Sequence, residues 1–170
     1  MKRKTLLIAA GFVLLAVIIL AVYFINTPKQ TVSYKKSMLT DNISSFETAE
    51  KTAMALYEDG NEDGVWLFTV DTDANNLACY NGYEHLLYPL TEEQKKAFVT
   101  VKSVFRLDHL GFECLYVNEN FATFGIANGR ASFIYSKANQ KPDFVNLAEI
   151  TDKNRVYVEK ITDNWFYACK

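Results

Sequence analysis

Hydrophobic positions change their spacing several times along the 170-residue chain, and each change predicts an element. The first pattern has no polar face. Leu6–Ile25 holds twenty residues without a charge, fourteen of them Leu, Ile, Val or Phe, broken only by Gly11. At ~1.5 Å rise per residue such a helix reaches ~30 Å, the thickness of a bilayer's hydrocarbon core. Lys2, Arg3 and Lys4 stand directly before it.

After residue 26 the pattern is that of a folded domain. Asn26–Asn42 shows no periodicity and carries Pro28, so it reads as a linker. Ser44 with Glu47 forms a capping box, and Phe46, Ala49, Ala53, Leu56 and Tyr57 recur at helical spacing up to Gly60. The first helix is therefore expected over 45–59, with Gly60 as its stop. Val65–Val70 is short, β-branched and aromatic, and reads as a strand buried on both faces, with Leu77–Tyr80 as a short partner. Thr91 with Gln94 is a second capping box, followed by the stripe Phe98, Val101, Val104 and Phe105 and a stop at Gly111. From there the period is two. Phe112–Val117, Phe121–Ala127, Arg130–Ser136, Arg155–Ile161 and Trp165–Cys169 read as five strands of an antiparallel meander. Their turns are Asn118-Glu119-Asn120, Asn128-Gly129 and Thr162-Asp163-Asn164.

The apolar run decides the organisation. Its Leu, Ile, Val and Phe residues favour insertion by about 4–8 kcal/mol as an upper bound. A cleavable signal has a shorter core and a small-x-small exit, whereas this exit reads Ala21-Val22-Tyr23-Phe24-Ile25. The chemistry favours an uncleaved anchor. The positive-inside rule places the basic N-terminus in the cytoplasm. The expected plan is residues 1–4 cytoplasmic, 5–25 a transmembrane signal-anchor in the lipid bilayer, 26–43 a juxtamembrane linker, and 44–170 an extracytoplasmic α+β domain. Gly11-Phe12-Val13-Leu14-Leu15 resembles the processing site of type IV prepilins, which implies a pilin-like subunit. The chain has Ala16 where that family carries Glu.

Composition narrows the partners. Beyond residue 27 the chain has fifteen basic and twenty acidic residues, a formal charge of −5. A mildly acidic domain without a basic stripe argues against nucleic-acid binding. Three cysteines, Cys79, Cys114 and Cys169, allow at most one internal disulfide, with Cys114–Cys169 as the pair to test against three thiols.

Candidate chemistry is sparse. Asp59, Asn61 and Asp63, followed by Gly64, match the opening of a calcium loop, but Val70 stands where the bidentate Glu belongs. Asp71-Thr72-Asp73-Ala74-Asn75 is a second acidic loop, and plain turns explain both. Cys79, His85, His109 and Cys114 are zinc-ligand types at a spacing that matches no common site, and they are also the available Cys–His pairs. Glu92/Glu93 and Glu113/Glu119 are acid pairs that helix starts and strand faces explain. Tyr80, Tyr83, Tyr88, Trp165 and Tyr167 fall near turns or strand ends, where aromatics line interfaces as readily as they pack sheets.

These readings assign no catalytic, cofactor-binding or metal residue. The expected fold is α+β, a meander covered by one or two helices. Its element order is similar to cystatin-like and nuclear-transport-factor-like architectures. The expected function is a non-enzymatic binding or assembly module of the cell envelope that engages another envelope protein or a small ligand. An envelope enzyme whose site forms only on folding is the alternative.

Overall fold

The structure, a computed structural model, describes residues 35–60, 64–71, 74–80, 85–107, 112–126, 131–142 and 157–169. The apolar run 6–25 lies outside these residues. Among the described residues no helix is long and apolar enough to cross a membrane. The chain divides into two compact units, Met1–Ser37 and Met38–Lys170. The second is an α+β domain in which two helices pack with an eight-stranded sheet.

Helix α1 spans Ile43–Gly60 and helix α2 spans Glu92–Leu107. The α2 start is the expected reciprocal box: Thr91 N–H donates to Gln94 Oε1 at 2.8 Å and Gln94 N–H donates to Thr91 Oγ1 at 3.3 Å. The α1 start differs from expectation. The helix begins before Ser44, and the N–H groups of Ser45 and Phe46 donate to the Asn42 carbonyl. Asn42 also donates its side-chain amide back to the Met38 carbonyl, closing the preceding helical turn. Met38 and Leu39 belong to the main core, inside the stretch that reads as linker.

Strands β1 (Trp66–Val70), β2 (Asn76–Tyr80), β3 (His85–Pro89), β4 (Phe112–Val117), β5 (Phe121–Ile126), β6 (Ala131–Ser136), β7 (Tyr157–Thr162) and β8 (Trp165–Cys169) form one sheet in the order β3-β2-β1-β4-β5-β6-β8-β7. Every pairing is antiparallel. Three expectations change here. Strand β3 has no counterpart in the sequence reading. Strand β1 alternates, with Trp66 and Phe68 buried and Leu67 half-buried; among the described residues, the two helices pack on the face that Trp66 and Phe68 share. The last hairpin is reversed relative to a plain meander: β8 lies beside β6 and β7 forms the edge. Its composition explains the order. Trp165, Phe166, Tyr167 and Ala168 are all buried, which suits an interior strand. β7 carries Glu159 and Lys160 and a register shift near its end, features that suit an edge.

Phe46 of α1 is the centre of the core. Its ring meets Phe105, Phe124, Phe133 and Trp165 edge-on at 6.0, 5.2, 5.5 and 5.9 Å. Burying one such side chain contributes about 1.5–3 kcal/mol, and each edge-on pair adds ~0.5–1.5 kcal/mol. On the other face Ile134, Phe166 and Ala168 form a small second cluster with Phe121 and Val158.

Turn chemistry holds where it is described. Asn118 Oδ1 accepts from the N–H groups of Asn120 and Phe121. Asn164 adopts φ 65°, which Asn tolerates, and its amide donates to the carbonyls of Ser136 and Lys137. Gly60 does not act through a left-handed stop. It is the last residue of α1, and a Cβ there would run into the Trp66 indole. Gly111 and Asn128-Gly129 lie outside the described residues.

Candidate functional site

The end of the sheet at β3 is built from five residues, His85-Leu86-Leu87-Tyr88-Pro89, none of them Asp, Glu, Lys or Arg. Alternation divides them. Leu86 and Tyr88 pack toward the main core under the helices. His85, Leu87 and Pro89 lie on the other face and are exposed, Leu87 by 61%. On that face the strands align His85, Tyr80, Leu67 and Tyr116 in one cross-strand row. The His85 ring stacks on Tyr80 at 4.6 Å and 19°, and Tyr80 is itself 42% exposed. Val65 is a further exposed apolar residue, directly before β1.

The backbone parity of this edge follows from one bond. Leu90 N–H donates to the Asn75 carbonyl at 3.0 Å, one residue beyond the Asn76–Pro89 pair. Antiparallel ladders alternate, so Tyr88 and Leu86 share the parity of Leu90 and turn their backbone groups toward β2. The N–H and C=O groups of His85 and Leu87 therefore face outward, and Pro89 turns its donor-less nitrogen outward as well. Among the described residues no backbone group pairs with that outer edge.

Beside the edge lies an open groove of about 560 Å³. One wall is the α1 stripe Thr48, Lys51, Thr52 and Leu56, and the other is the chain from Tyr88 to Thr91.

A second feature is buried charge. Glu50 of α1 is only 5% exposed, and burial pushes its carboxyl up to about 7. Lys51 and Lys137 draw it down, while Glu47 and Glu58 raise it. Burial, Glu50 and Glu47 in turn hold the Tyr135 phenol above its usual range. Lys137 bridges to Glu58 at 2.6 Å across the surface.

The residues that the sequence singled out do not converge. Cys79 shares the core face with Leu86, so its neighbour His85 lies on the opposite face. Cys114 pairs with Gly125 and Cys169 with Ala131, on opposite faces and three strands apart. That is ~14 Å of sheet, beyond the reach of a disulfide, and all three cysteines are thiols. Burial raises the Cys169 thiol despite a hydrogen bond with Tyr167, which disfavours the nucleophilic thiolate. Asp59 is the next-to-last residue of α1, while Asn61, Asp63, Tyr83 and His109 lie outside the described residues. Asp71 closes its own turn: its carboxylate accepts from the N–H groups of Asn75 and Asn76 and from the Asn76 amide. Burial opposes ionisation there, but these hydrogen bonds and Lys102 hold the carboxyl below its usual range. Among the described residues no group of three metal-ligating side chains forms. Of the five singled-out aromatics, Tyr80 is exposed, Tyr88 lines the groove, and Trp165 and Tyr167 are core. Sequence reasoning missed Leu87 and Glu50. The uncharged run before Pro89 was the available signal for the first, and nothing local marks the second.

The chain matches no protein-family model, no curated protein and no solved structure.

Proposed function

We propose that this protein is a membrane-tethered binding or assembly module of the cell envelope, anchored by residues 5–25 with its C-terminal domain outside the membrane and no catalytic role. The observation that carries the binding half is the uncharged, exposed sheet end formed by Leu87 with the Tyr80–His85 stack. Contiguous exposed apolar surface of this kind marks interaction sites. The tether is supported by the charge-free run Leu6–Ile25 behind three cations. A photo-crosslinking residue at position 87 of the full chain, expressed in its host, tests the binding half. Protein adducts are expected at position 87 and none at the exposed position 99 of α2. Equal adducts, or none, overturn it. A reporter fused after Lys170 tests the tether: activity confined to an extracytoplasmic assay is expected, and full cytoplasmic activity refutes the orientation.

An envelope enzyme is the second reading, and Glu50 favours it. A buried carboxyl half-protonated near neutrality beside a tyrosine suits general acid–base work.

A further inference from the structure

We propose that β3 pairs with β3 of a second copy of this chain, antiparallel about a two-fold axis at Leu87, so that two eight-stranded sheets merge. The inference deepens the assembly reading and rests on it for the role of this surface.

Backbone chemistry defines the class of occupant. Outward N–H and C=O groups of His85 and Leu87 are the row that another extended strand pairs with. The two-fold choice follows from β3 itself. With Leu87 opposite the second copy's Leu87, each Leu87 N–H donates to the other's carbonyl. Each His85 N–H then meets the other copy's Pro89 carbonyl. Pro89 lacks an N–H, so each His85 carbonyl stays with solvent, while the Pro89 carbonyl still accepts and four bonds remain. Side chains fit the same register. The second copy's Leu86 falls opposite Tyr88 on the helix-covered face, beside the groove that Tyr88 and Leu56 line. On the face away from the helices the two Leu87 side chains, the most exposed large apolar residues among those described, cover each other.

Charge identifies the partner further. Like charges directly opposite one another destabilise a strand pair, and β3 presents none to its mate. The other edge does. β7 carries Glu159 and Lys160, Lys160 bonds Asp163 at 3.2 Å, and the ladder slips between Lys160 and Thr162. A β3–β7 contact would be heterologous and would propagate as a fibre, whereas β3–β3 is isologous and closes as a dimer. The sheet therefore has one edge suited to pairing and one protected from it.

The test uses the full chain in intact cells. In a hydrogen-bonded antiparallel pair the facing Cα atoms are ~5.5 Å apart, within disulfide reach. Leu87→Cys under mild oxidation is expected to give a band at twice the 19.4 kDa chain mass in most of the protein. Tyr157→Cys, also exposed on the β7 edge, is expected to give at least fivefold less, and the unaltered chain none. Leu87→Glu, an exposed change that leaves the core alone, is expected to shift the purified chain from dimer to monomer in a mass measurement. Absence of the Leu87→Cys band, equal bands at both edges, or an unchanged mass for Leu87→Glu each overturns the proposal. Equal bands would place any dimer contact elsewhere, including the N-terminal run. Photo-adducts at position 87 to a different protein, without the Leu87→Cys band, would leave the binding module standing and remove self-pairing.

Discussion

Gly60→Ala separates local from tertiary reasoning because the two give opposite signs. Gly is about 1 kcal/mol worse than Ala in a helix interior, so propensity alone favours the substitution. The structure reverses this. A Cβ at Gly60 would collide with Trp66 Cη2 and lie 2.5 Å from Cζ2. The indole has little room to withdraw. Trp66 is buried, its ring meets Tyr57 edge-on at 5.4 Å and Phe68 at 6.2 Å, and the Tyr57 hydroxyl is tied to the Gly64 carbonyl at 3.1 Å. Overpacking of this kind costs about 1–3 kcal/mol. Gly60→Ala should therefore lower the midpoint of urea unfolding, followed by circular dichroism. Trp66→Phe removes the far edge of the indole, and it discards a ring N–H that is buried without a partner among the described residues. In that background Gly60→Ala should be neutral or stabilising, giving a coupling of ~1–3 kcal/mol between the two sites. Stabilisation by Gly60→Ala in the Trp66 parent, or the same cost in both backgrounds, would refute the packing argument.

Glu50 makes a prediction about pH. Its folded carboxyl is raised from 4.5 to about 7, so the folded state holds more protons than the unfolded one across that window. Stability should fall as pH rises from about 4.5 to 7 and then level off, by at most ~3 kcal/mol. Glu50→Gln should flatten this profile and be the more stable protein at pH 8; an unchanged slope in the thermal midpoint against pH would refute it. Thr91→Ala should cost about 1 kcal/mol by removing the side-chain acceptor for Gln94 N–H, read as a midpoint shift in urea. Residues 38–170, the second compact unit, should express as a soluble species with one cooperative unfolding transition. Aggregation or a non-cooperative melt would show that the domain needs what precedes it.

What the sequence determined by itself was short-range. Thr91 and Gln94 cap α2 because side chains three residues apart reach each other's N–H groups whatever lies elsewhere. Asn118 and the Asp163-Asn164 turn bend as expected because their conformations are chosen by their own side chains. Period-two and period-3.6 stripes named most of the described strands and helices α1 and α2, and with them the α+β class. Strand order and facing were decided by contacts between distant residues. β8, apolar on both faces, lies inside the sheet beside β6, and the charged β7 takes the edge, an order that only the assembled sheet decides. Gly60 is glycine for Trp66, not for a stop signal. Cys114 and Cys169 fall on opposite faces because their registers were set independently, through Gly125 and Ala131. Glu50 looks like any solvated helix acid until α1 is laid on the sheet and its carboxyl is buried. The outward parity of His85 and Leu87 has the same origin: a one-residue slip against β2 would exchange which backbone groups are paired. Local pattern reports which conformation a residue adopts, but only the packed fold determines what that residue faces.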